Sequence, residues 1–161
     1  MNQEKIELLL FDLCTRIPHG IVVQQSAQYT ENHFMYSVAD KWKTESHDFK
    51  IIGIQGTNTL ITDKLKEERT YAKGIVPSHI TICIYDNFTK QIAKPYLRSM
   101  ARMTKEEEKV YEQLIKDVHY KPRASTCNKL ISWLKEHYFD DNYLIEQGLA
   151  LEAPEGMYKN K

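Results

Sequence analysis

Apolar residues return at helical spacing in the first part of the chain. Ile6, Leu9, Leu10, Leu13 and Ile17 fall at i, i+3, i+4, i+7 and i+11, which draws a single apolar stripe on a helix over 4–17. Asn2 is placed to cap its start, and the breakers Pro18 and Gly20 end it. The period then shortens to two. "IVVQ" (21–24), "FKIIGIQ" (49–55), "TLIT" (59–62) and "HITICIYD" (79–86) read as strands, and "HFMYSVADKW" (33–42) is a weaker candidate. Gly56 and Asn58 supply the turn of a hairpin between 49–55 and 59–62. "DKLKEERTYAKG" (63–74) is polar and reads as a loop or a short exposed helix. No long helical crossover separates these strands, so the sheet is expected to be antiparallel, either open or curled towards a partial barrel.

From Thr104 the spacing is helical again. Thr104 caps a helix near 105–118 and Glu107, three residues on, can reach back to it; Val110, Tyr111, Leu114, Ile115 and Val118 form the stripe expected to be buried. Pro122 breaks this helix. Ser125 or Thr126 caps the next, whose apolar face is Leu130, Ile131, Trp133, Leu134, His137 and Tyr138. "FDDN" breaks and caps once more, and "YLIEQ" predicts a short helix closed by a left-handed Gly148. The whole reads as one α+β domain over 1–161. It has a helix at 4–17, a small sheet region at about 21–86, a helical region at about 104–148 and a tail at 149–161.

Composition narrows the function classes. Hydrophobic residues make up 42% of the chain, enough for a core, so global disorder is excluded. The 22 basic and 22 acidic residues cancel, so gross charge gives no argument for nucleic acid or an anionic membrane. The N-terminus has no signal-peptide pattern and no stretch approaches the ~20 apolar residues of a membrane span. Cys14, Cys83 and Cys127 are far apart and form no C-x-x-C, which fits a reducing cytoplasm. "NFT" at 87–89 is a glycosylation sequon without the secretory context that would give it meaning. The ten tyrosines suit core edges, or a contact surface.

No catalytic, cofactor-binding or metal-ligating set is expected. His79 in "SHITI" is half of the signature of two-histidine phosphoesterases, but that chemistry needs a second His-x-Thr or His-x-Ser and none of the other five histidines supplies it. No two histidines stand at i, i+4 and no H-E-x-x-H occurs. Cys14 reads as a small core residue. Cys127 lies near a helix start without a base close in sequence. Nucleophile-elbow, P-loop and dinucleotide motifs are missing, so the chain leans away from being an enzyme.

Charge is uneven in the C-terminal half. Ten basic residues face five acidic ones over 94–135, and two face six over 136–161. Lys94, Arg98, Arg102, Lys121 and Arg123 are the candidate contacts to an anion or nucleic acid, with Tyr96 available for stacking. The other reading is a surface laced with ion pairs, with Glu106 to Glu108 at the favourable end of a helix dipole. Pro95 argues against one continuous helix carrying Lys94, Arg98 and Arg102.

Three segments carry a family resemblance: "LLLFDLCTRIPHGIVV" (8–23), "KPYLRSMARMTKEEE" (94–108) and "NYLIEQGLALEAPEGMYK" (142–159). They resemble a group of uncharacterised small proteins encoded by gut-anaerobe genomes and the phages integrated in them. This chain departs from that pattern at Ser99, where proline is usual, and in the charged insert near 63–74. The resemblance implies a mobile-element setting and no particular chemistry. The leading expectation is a cytoplasmic, non-catalytic binding protein that meets a protein partner through its tail or a sheet edge. For the tail, a strap over its own core through Leu149, Leu151, Met157 and Tyr158 is the alternative. The rivals are a nucleic-acid accessory protein using the basic 94–123 region and, third, a phosphoesterase around His79.

Overall fold

The computed structural model describes residues 3–30, 42–56, 59–65, 79–85 and 92–158. The first helix, α1 (Gln3–Arg16), runs into a 3-10 turn (Ile17–His19) that ends at Gly20. Six strands follow in chain order: β1 (Val22–Thr30), β2 (Trp42–Gln55), β3 (Thr59–Leu65), β4 (His79–Cys83), β5 (Lys94–Leu97) and β6 (Leu151–Glu152). Between β5 and β6 lie α2 (Lys105–Tyr120) and α3 (Ala124–Glu136). The fold is α+β.

The sheet order is β4-β3-β2-β1-β5-β6, so the sheet is open, with β4 and β6 at its edges, and the partial barrel does not form. The hairpin expected around Gly56 is present: β2 and β3 pair antiparallel, and Gly56 has the positive φ, 66°, that such a turn asks of a glycine. The sheet is not purely antiparallel, because β6 joins β5 in parallel, Tyr96 opposite Leu151. A parallel neighbour needs a long connection, and α2 with α3 is that connection.

Four sequence-level expectations are corrected. "KPYL", left outside the sheet region of about 21–86, is strand β5, tied to β1 through Val23 opposite Pro95. The α2 stripe is not buried: no α2 residue is, and Val110 and Ile115 are 45% and 41% exposed, because the neighbour of α2 is α3 and no second layer among the described residues covers it. Cys14 is exposed, on the side of α1 away from Leu9 and Leu13. "YLIEQ" forms turns and no helix: Tyr143 adopts φ 55°, while the Asp140 carboxylate accepts the N–H groups of Leu144 and Ile145 at 2.8 Å each. Gly148 is left-handed as expected (φ 71°). Asn2, Asn58, 33–41, 66–74 and the sequon 87–89 lie outside the described residues.

The core is built from both ends of the chain. Leu9 and Leu13 of α1 join Val23, Ile51, Leu60 and Leu97 of the sheet, and Leu144 and Leu149 from after α3 close the same cluster. Each such side chain, fully buried, contributes about 1.5–3 kcal/mol of hydrophobic stabilisation. No helix among the described residues is long and apolar enough to cross a membrane.

Candidate functional site

A cleft of about 600 Å³ opens where the chain's distant segments meet. One wall is the 3-10 turn, with Pro18 and His19. A second is the stretch from Arg98 to Glu107, and a third is Ala153–Tyr158. The end of α3, Glu136 to Tyr138, forms the floor. Twelve of the fifteen lining residues belong to the three segments that carry the family resemblance.

Local chemistry fixes each wall. Thr104 caps α2 by accepting the Glu107 N–H at 3.2 Å, and the Glu107 carboxylate returns the contact to the Thr104 N–H at 2.8 Å, the reciprocal box expected from the sequence. The same carboxylate receives Arg98 in fork geometry, Nη1 to Oε1 at 2.7 Å and Nη2 to Oε2 at 2.9 Å. The Arg98 hydrogen bonds, helped by Thr104 and opposed by burial, hold the Glu107 carboxyl at about 2, well under its ordinary 4.5. The Arg98 guanidinium also lies over the Phe139 ring, 4.4 Å from its centre.

Arg102 anchors the third wall, donating from Nη1 to the Ala153 carbonyl at 2.9 Å and reaching Glu152 at 3.4 Å. Tyr158 is stacked on Tyr138 with ring centres 3.6 Å apart, and its hydroxyl donates to the Tyr96 carbonyl at 2.9 Å. The Tyr138 hydroxyl in turn donates to the carbonyl of His19. The tail is therefore a strap over its own core. His137 stacks on Trp133 at 4.5 Å, and its Nδ1 lies 2.8 Å from the Trp133 carbonyl. A carbonyl only accepts, so Nδ1 carries a proton.

Behind the cleft sits a buried ionic cluster that the sequence reading missed. Asp12 and Arg16 of α1, both fully buried, meet Lys135 of α3 and Asp141. Arg16 also donates to the Phe139 carbonyl at 2.7 Å, and Asn142 donates to Asp12 at 3.1 Å. These bonds pin α1 against the end of α3 and so set His19 opposite His137 and Tyr138. The only signal in the sequence was the i, i+4 spacing of Asp12 and Arg16, which normally marks a solvated pair.

The five basic candidates are not brought together. Arg98 and Arg102 enter the cleft, already engaged with carboxylates or a carbonyl. Lys94 is half-buried on β5, and Lys121 and Arg123 are exposed at the turn after α2, roughly 24 Å along that helix from Arg102. His79 lies on the edge strand β4, and its side chain is outside the described residues. Among the described residues no three His, Cys, Asp or Glu side chains are grouped to hold a metal ion. The cleft sets two guanidiniums against three carboxylates, so it is not a simple anion trap. No protein-family model matches the chain, and neither a curated protein nor a solved structure matches it.

Proposed function

We propose that the chain is a cytoplasmic, non-catalytic binding protein of a mobile genetic element, and that it grips a segment of a protein partner in the cleft between His19, Arg98–Glu107 and the strap. One observation carries this reading: segments from opposite ends of the sequence, those of the family resemblance, line one concave surface. Its volume and mixed lining suit a short polypeptide stretch. Arg98, Glu107, Arg102, Tyr138 and His137 each use their polar groups to hold the walls in place. Such pre-organisation reduces the entropy cost of docking. Engagement of Arg98 and Arg102 inside the fold weighs against the nucleic-acid reading. The mobile-element and cytoplasmic parts rest on the resemblance and on the dispersed thiols.

The test is selection of peptides from a random display library, followed by NMR titration of the labelled protein with the enriched peptides. Shifts at His19, Thr104, His137 and Gly156 are expected. Shifts confined to the β4 edge or the α2–α3 turn, or no enrichment at all, would remove the cleft from consideration.

A further inference from the structure

A second concave surface lies between the two long helices. Between α2 and α3 runs an open furrow of about 440 Å³, sharing only Glu136 with the cleft. Its floor is apolar, formed by Val110 and Leu114, one turn apart on α2, and by Trp133 of α3. Its α3 rim carries Ser125, Asn128 and Ser132 at i, i+3 and i+7, short side chains that allow another helix to approach closely. This is the stripe whose burial the sequence predicts and which the single chain leaves half open.

The charges along the furrow select its occupant. On α3, Lys129 and Glu136 line opposite ends, two turns apart. On α2, Glu106 stands one turn before Val110, and Lys121 is the first residue after the helix, both exposed. The three-residue link makes α2 and α3 antiparallel, so Glu106 and Glu136 lie towards one end of the hairpin, Lys121 lies in the link at the other, and Lys129 stands between them near the middle of α3. Asp117 accepts from Gln113 at 2.9 Å and keeps its charge, which offsets part of the positive side. A surface whose glutamates lie towards one end, whose lysines lie towards the other and whose floor between is apolar complements itself after a half-turn.

We infer that the α2–α3 face is a homodimer interface, in which a second copy lies antiparallel so that Lys129 and Lys121 of each copy meet Glu136 and Glu106 of the other. Two helices side by side cover roughly 24 by 20 Å, so two copies bury on the order of 1,000 Å², at the low end of specific interfaces. The dissociation constant is therefore expected at about 10–100 μM, weakening as salt is raised.

Sedimentation equilibrium from about 5 μM to 1 mM tests this with the wild type and two charge-reversed variants, E106K/E136K and K121E/K129E. The wild type should dimerise. Each variant alone places like charges together and should lose self-association at least about tenfold. An equimolar mixture of the two should recover the dimer, which also shows that both are folded. A wild type monomeric throughout the range overturns the proposal. So do variants that dimerise unchanged, and variants that stay monomeric when mixed.

Discussion

Asp12 and Arg16 lie one helical turn apart on α1, both shielded from water, with Arg16 Nε and Nη2 reaching the two carboxylate oxygens at 2.8 and 3.1 Å. A charge in that position is tolerable only with its partner present. Lys135 adds a second cation at 2.5 Å from Asp12.

Replacing Asp12 should therefore be costly. Asp12→Ala leaves two buried cations sharing Asp141 alone and is expected to lose about 3–5 kcal/mol, read as the shift in urea unfolding. Asp12→Asn, which keeps the volume but not the charge, should lose a similar amount. A loss under about 1 kcal/mol in both would mean that the cluster is hydrated and works as a surface pair.

Acid should weaken the fold through two carboxylates. Burial pushes Asp12 up, but the hydrogen bond and charge of Arg16, with Lys135, outweigh it and leave Asp12 below its ordinary 3.8. Glu107 is held at about 2 by Arg98. A carboxyl held low in the folded chain contributes stability that is complete above its unfolded value and lost as pH falls through its folded value. Unfolding free energy should thus be level in these terms above the ordinary Glu107 value of 4.5 and decline towards about 2. Glu107→Gln should flatten the part of the decline that Glu107 contributes, and cost about 1–2 kcal/mol at neutral pH by removing the Arg98 fork and half the capping box.

Much of this fold is legible in order, and little of it in association. The α1 stripe, the Gly56 hairpin and the Thr104–Glu107 cap depend on neighbours within a few residues, so periodicity and turn chemistry reveal them. Strand β5 is not legible because "KPYL" is four residues long and begins Lys-Pro, a weak strand signal. Its partner β6 is two residues long, and the pairing spans the whole helical region. The cleft was half visible: its three motifs stood out, but nothing local says that residues 18 and 157 are neighbours. Buried Asp12, Arg16 and Lys135 sit where charge normally marks the solvent side, so pattern reading assigns them outward.

The strap offers a direct check on the third wall of the cleft. Tyr158→Phe removes the hydroxyl, with its hydrogen bond to the Tyr96 carbonyl and its contact with the Val22 backbone, and should cost about 1 kcal/mol. Tyr158→Ala also removes the stack on Tyr138 and should cost about 2–4 kcal/mol, with the peptide-induced NMR shifts at Gly156 lost. Burial pushes the Tyr158 phenol up, so an ultraviolet titration should show a late-ionising fraction that shrinks in Tyr158→Phe. A late fraction unchanged by Tyr158→Phe would detach the strap from the core.

Strand β6 and Tyr158 complete a sheet and a core begun at Leu9. During synthesis, a nascent chain ending anywhere before residue 151 offers β5 with one side unpaired and Tyr138 without its stacking partner. On the ribosome, the sheet and the tyrosine stack therefore close only once the strap has emerged from the exit tunnel.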